Sequence, residues 1–238
     1  MTAFALKTIA LAAMLADHLA VVFPGTFPFW FRGIGRLAWP IFAYLLAEGF
    51  RHTKAPEKFL ARLFAFALIS EIPYDIAMGN NIDFFADTNI FYTLFLGGTA
   101  IFLYGRHQAR SGRQTMAFLA AILPTAILAE ILSAEYRGIG VLFIYAMHAI
   151  QPKTVRLTAL GAFALSQFIP LAAAGSLGIG TKPEYLLLPF ALAAIPLLAL
   201  YNGERGTRAK WLFYWAYPAH LAAFAAIAGA MHGFLRSW

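Results

Sequence analysis

The sequence predicts an all-α fold: a polytopic membrane bundle of about nine spanning helices, within a range of about eight to ten, with its N-terminus in the cytoplasm. Three observations predict it. The 238 residues are 61% hydrophobic and 12% charged, against roughly half and a quarter in a water-soluble domain. The apolar residues gather in runs on the scale of a bilayer crossing, about 17–25 residues as a helix. The cations lie asymmetrically in the connections between those runs. The same composition excludes a soluble enzyme, a coiled coil and a disordered chain. The net charge of +7 would suit a polyanion, but so apolar a chain leaves little hydrophilic face for nucleic acid, and none is expected as a partner. With no cysteine, disulfides, thiolate nucleophiles and cysteine-ligated metals are excluded.

The runs fall at 4–23, 34–50, 59–78, 90–104, 115–132, 138–150, 156–174, 185–201 and 211–232. Pro24-Gly25 closes the first, Gly79-Asn80-Asn81 the third and Asn202-Gly203 the eighth, all residue types that stop helices. The fourth and sixth are short, so tilting, re-entry or extension into the flanks is open for each. No linker or repeat divides the chain, so a single transmembrane domain, 1–238, is expected. Lys7 followed by an apolar run has the look of a signal peptide, but Asp17 and His18 interrupt it, and a retained helix is the expectation.

Orientation follows from Lys and Arg. Lys7, the cations of 51–62, 106–113 and 153–156, and Arg205, Arg208 and Lys210 fall on one side; Arg32, Arg36, Arg137, Lys182 and Arg236 fall on the other. The first side is therefore cytoplasmic. The connection between the third and fourth runs holds Asp83 and Asp87 and no cation.

Ionisable groups inside a span are costly and mark candidate sites. Asp17 and His18 lie in the first run, Arg36 near the start of the second, Glu71 and Asp75 in the third, Glu130 near the end of the fifth, and His220 near the middle of the ninth. Asn89 and Tyr92 open the fourth. These residues fall in one slab, from the midplane to the outer face. Glu71 and Asp75, four apart, share a helix face. Asp17 and His18 are adjacent and point about 100° apart, so Asp17 is expected to meet a neighbour such as Arg36, either as a structural ion pair or as part of a site. His18 suits proton transfer near neutral pH, or a plain hydrogen bond between helices. Pro73 kinks the third run, and Glu71 and Asp75 then serve either chemistry or the satisfaction of backbone and water. Glu48 and His52, four apart, read as an inner salt pair.

Zinc-binding spacing and the Gly-x-Ser-x-Gly elbow are absent, and Gly33-Ile34-Gly35 opens a helix instead of following a strand. No metal, no serine hydrolase of the usual kind and no dinucleotide fingerprint is expected. The turn Asn202-Gly203-Glu204-Arg205-Gly206, with Arg208 and Lys210, has cations and glycine-freed N–H groups suited to phosphate. It is equally a positive-inside loop that stops a helix.

Several segments together carry a resemblance. They are Leu6-Lys7-Thr8 through Asp17-His18; Ile34-Gly35-Arg36-Leu37-Ala38-Trp39-Pro40 through Glu48-Gly49-Phe50 and His52-Thr53; Arg62-Leu63 with Ser70-Glu71-Ile72-Pro73-Tyr74-Asp75; Asn89-Ile90-Phe91-Tyr92-Thr93-Leu94; Tyr201 through Gly206; and Tyr214-Trp215-Ala216-Tyr217-Pro218-Ala219-His220. The chain resembles TraX-type proteins and the similar conjugal-transfer protein TrbP over nearly its whole length, although 115–200 matches mainly as hydrophobic pattern. The resemblance implies a bacterial inner-membrane protein that acetylates the N-terminal amine of a pilin subunit, with acetyl-CoA as donor and no metal. It supplies no secure list of catalytic residues.

On that implication, phosphates of cytoplasmic acetyl-CoA would favour Asn202, Arg205, Arg208 and Lys210. The base would be His18, with His220 as second choice. Asp17, Glu71 or Asp75 would orient the base or hold the ammonium, and Arg36, Tyr92 or Asn89 would stabilise the oxyanion. Glu130 joins the substrate-binding candidates. Rival readings are a membrane O-acyltransferase acting on an envelope glycan or lipid, a proton-coupled transporter, and a structural partner of an assembly machine. Pilin or another envelope acceptor, and membrane lipid, are the expected partners.

Overall fold

The computed structural model describes residues 1–166 and 183–236. Among them the architecture is all-helical, and the only β feature is an isolated bridge between Pro24 and Phe27. Contacts divide the chain into two compact units. One comprises 1–42, 150–216 and 227–238; the other comprises 43–149 and 217–226.

In the first unit, α1 (Ala3–Val22) starts at Thr2, whose side chain accepts from the Ala5 N–H at 3.3 Å. It packs on the short α2 (Trp30–Gly35). The run read as one span from 34 to 50 is two helices, because α2 ends at Gly35 and α3 (Ala38–His52), which belongs to the second unit from Ala43 onward, begins after a turn at 36–37. Pro40 explains the break. It has no N–H to give a carbonyl one turn earlier, yet it is tolerated in the first turn of a new helix. Gly33-Ile34-Gly35 accordingly lies in α2 and does not open the longer helix. The seventh expected span is seen as α9 (Lys153–Ser166); its end, and Lys182, lie outside the described residues. The eighth is a 3₁₀ stretch, Pro183–Ala193, followed by α10 (Ala194–Ala199). Proline at 189 and 196 denies this run a continuous α-helical ladder. Finally, α11 (Lys210–Arg236) begins and ends in this unit and lends residues 217–226 to the other.

In the second unit, α4 (Pro56–Met78) ends at Gly79, whose φ of 74° provides the left-handed cap. Next come α5 (Ile90–Ser111), α6 (Gln114–Ala117), one π turn (Phe118–Ile122), α7 (Leu123–Ile131) and α8 (Arg137–Ala149). The π turn sits just before Pro124. The Leu123 N–H reaches back five residues to Phe118 O, a register that absorbs the donor Pro124 lacks. Contacts of α4 with α5, α5 with α8 and α7 with α8 build the core.

This unit exposes apolar side chains while burying a few polar ones among its apolar core. Phe64, Leu68, Ile72 and Ile76 form an exposed stripe along α4 at four-residue spacing, while Ser70, Glu71 and Asp75 of the same helix are buried. On α7, Leu123, Ile127 and Ile131 form a second exposed stripe. Among the described residues three stretches are long and apolar enough to cross a membrane: Ala3–Val22, Gln114–Ile131 and Lys210–Met231.

Candidate functional site

The first unit holds an ion-paired cluster built by α1 and α2. Asp17 accepts from Arg36 Nη2 through both oxygens, at 3.1 and 3.3 Å, and lies 3.5 Å from Arg32 Nε. The two arginines are one helical turn apart, so both reach the same carboxylate. Arg36 Nε also donates to Arg32 O at 3.2 Å, which fixes the fork. Gly35 makes this approach possible, because a Cβ there would lie 2.3 Å from Asp17 Cβ. His18 is buried on the neighbouring face of α1.

The basic turn also belongs to the first unit, and it serves a structural purpose. Ala3 N and Phe4 N at the start of α1 donate to Glu204 O and Arg205 O at 2.8 and 3.1 Å, and Asn202 N donates to Met1 O at 3.0 Å. The N–H groups that begin a helix need such partners. Gly206 has a φ of +70°, and a Cβ there would lie 2.5 Å from Thr2 Oγ1. Glu204 N donates to Asn202 Oδ1, and the Asn202 amide donates to the Glu204 carboxylate at 2.8 Å. The Asn202 and Glu204 N–H groups are therefore committed, whereas Arg205, Arg208 and Lys210 are exposed. Lys210 lies over the Trp211 ring at 4.8 Å. Lys153 Nζ donates to Ala199 O and Tyr201 O, both at 2.7 Å, and so secures the end of α10 beside the turn.

The second unit holds the carboxylates of α4. Glu71 is 0% and Asp75 1% exposed. Asn89 is the N-cap of α5, and its Oδ1 accepts from Phe91 N at 2.9 Å. Its Nδ2 donates to Ala67 O at 2.8 Å and to Glu71 Oε2, and its backbone N–H reaches the same oxygen at 3.2 Å. With both amide hydrogens committed, Asn89 positions Glu71 and has no donor left for an oxyanion in this arrangement. Asp75 Oδ2 accepts from Asp83 N at 3.0 Å. Tyr92 donates its hydroxyl to Phe84 O at 3.3 Å. Thr88, fully buried, accepts from Glu135 N at 3.1 Å and ties the 79–89 loop to the α7–α8 connection.

Two further expected members have contacts of their own. Glu130 is exposed; it accepts from Gly138 N at 3.0 Å and pairs with Arg137 at 3.6 Å. It therefore caps α8 instead of joining Glu71 and Asp75. His220 stacks edge-on between Tyr217 and Phe224 of its own helix, with centroids 5.6 and 5.5 Å away. At the end of α3, Glu48 has His52 at 3.7 Å, but its nearer partner is Arg51 at 2.6 Å.

Sequence reasoning missed Arg32, Arg51, Ser70 and Asp83. Arg32 was findable, since it lies four residues before Arg36 on a helix face. Nothing local to Asp83 announces its bond to Asp75. Among the described residues no group of three or more His, Cys, Asp or Glu is disposed to hold a metal.

A buried carboxylate pair in one compact unit, an arginine-paired aspartate in the other and outward-facing apolar stripes define a helical protein. The chain belongs to the TraX protein family, which matches residues 3–228. It is also similar to the probable fimbrial assembly protein FimC, serogroup H1, of Dichelobacter nodosus, at 29% identity over 240 residues covering 93% of each chain. No solved structure matches.

Proposed function

We propose that this protein is a multi-pass inner-membrane acetyltransferase acting in pilus biogenesis, which moves acetyl from cytoplasmic acetyl-CoA to the N-terminal amine of a pilin subunit. The observation that carries the reading is the TraX match across residues 3–228, joined by a relative described as a fimbrial assembly protein. The outward apolar stripes of α4 and α7 are what a lipid solvent selects. So are the tryptophans at the ends of apolar helices, Trp30 after α1 and Trp211 at the start of α11. The cation asymmetry supports a cytoplasmic 202–210 turn, on the side where acetyl-CoA is made, and with about nine spans an outer C-terminus.

In the transfer, the amine nitrogen attacks the thioester carbonyl. The C–N bond forms, the C–S bond breaks, and CoA leaves as a thiolate that takes up a proton. The amine must lose a proton, and His18 is the base. Its imidazole sits one residue from Asp17, which Arg32 and Arg36 hold fixed, so the helix face that presents it is anchored. Arg205, Arg208 and Lys210 grip the donor's phosphates through side-chain charge.

The test is the intact mass of pilins from cells with and without the gene. An acetyl adds about 42 Da, and that mass difference reads the acyl-transfer step directly. His18→Ala is expected to lower transfer by about 10²–10⁴-fold, the usual contribution of a general base. Identical pilin masses in the two strains reject the pilin reading, and full activity of His18→Ala together with His220→Ala rejects the histidine base.

A further inference from the structure

The two carboxylates of α4 are each half satisfied. Donors hold Glu71 Oε2 and Asp75 Oδ2, whereas Glu71 Oε1, Asp75 Oδ1 and the adjacent Ser70 Oγ are buried without a hydrogen-bond partner. Neither acid has an ion pair among the described residues, and no Lys or Arg lies between Arg62 and Arg106 in the sequence. Tyr74 is within electrostatic range of Glu71, Asp75, Asp87 and Glu135, and Asp83 adds a further acid that acts on Glu71. The surroundings are negative, and a buried acceptor left unmade is expensive.

We infer that Glu71 and Asp75, four apart on one face of α4, form a pocket for a primary ammonium, the protonated amine of the acceptor, with the Ser70 hydroxyl on the flanking face. Such a group brings one positive charge and three N–H donors, the complement of two half-satisfied carboxylates. Asn89 and Asp83 hold the far oxygens and so turn the near ones toward the ligand. A divalent metal fits poorly, since calcium takes about six to eight oxygens and magnesium a near-ideal octahedron. The surrounding acids draw cations toward the pocket. That the ammonium belongs to the acceptor rests on the acetyl-transfer reading; the pocket is measurable without it.

The test is thermal unfolding of the purified full-length protein in detergent with methylammonium chloride, compared at equal ionic strength with choline, sodium and potassium chlorides. Methylammonium at tenfold its dissociation constant is expected to raise Tm by about 3–5 °C, saturably. Choline has no N–H donor and should give no saturable rise. Glu71→Gln keeps an oxygen for Asn89 and supplies its own N–H where the ligand would donate, so it should fold and lose the response. Asp75→Asn is the second variant and should lose it as well. The inference is overturned by no methylammonium shift, by an equal shift with choline, by an equal or larger shift with sodium or potassium, or by a response kept in both variants. A retained shift with unchanged pilin mass rejects the transfer reading alone. A changed pilin mass without a shift rejects the pocket alone.

Discussion

At the scale of single residues, Asn89 does the most with the fewest atoms. Its oxygen caps α5, and its two amide hydrogens and backbone N–H hold Ala67 O and Glu71. Asn89→Ala removes a cap, costing about 0.5–2 kcal/mol, and strips donors from a buried carboxylate, costing about 1–3 kcal/mol more. Asn89→Asp keeps the capping oxygen but sets an anion against Glu71. Thermal melts in detergent should therefore rank wild type above Asn89→Ala and Asn89→Asp lowest; an aspartate variant as stable as wild type removes Asn89 from its role at Glu71. The positions of such residues were legible in the sequence because charge and amide groups are conspicuous in an apolar chain. Their partners were legible only where helix periodicity supplies them. Asp17 and Arg36 belong to helices that follow one another, and the pairing could be anticipated. Asn89 capping a helix while holding Glu71 depends on two helices packing in a particular register, which no local pattern encodes. Glu130 shows the limit from the other side: its place near a run's end suggested burial, and a change of chain direction immediately after it left it exposed as a cap.

At the scale of elements, most apolar runs became helices near their expected limits, and the departures have one chemical cause. Pro40 divides the second run, Pro124 accompanies a π turn in the fifth, and prolines at 189 and 196 accompany the 3₁₀ stretch of the eighth. Hydropathy sees proline as mildly apolar, whereas the backbone sees a missing donor. The ends of helices are closed by charged side chains that composition alone assigns to topology. Arg51 is the strongest case: it donates to Glu48 at 2.6 Å, to Met147 O at 3.0 Å and to His148 O, and so satisfies carbonyls in the last turn of α8. Arg51→Met should lower stability by about 2–4 kcal/mol, because it leaves those carbonyls and a partly buried Glu48 short of donors. Arg51→Lys should restore only part, since an ammonium lacks the fork. Equal melting of the lysine variant and wild type would mean that charge suffices and the bidentate geometry adds nothing.

At the scale of the whole molecule, the cation asymmetry makes a claim that labelling can settle. The chain has no cysteine, so a single introduced thiol reports one location. Ile82→Cys should react with a membrane-impermeant maleimide in intact cells, and Gln114→Cys only after permeabilisation. The reverse pattern inverts the topology, and labelling of both from outside rejects it. Chain order adds a consequence in time. One compact unit takes 1–42 and 150–216, so residues 43–149 are synthesised while it is incomplete. The first N–H groups of α1 wait longer still, because Glu204 and Arg205, whose carbonyls receive Ala3 and Phe4, leave the ribosome some two hundred residues later. Until then α1 has an open end. A nascent chain halted before residue 204 should keep that end accessible to proteases, and completion of the turn is the event that shuts it.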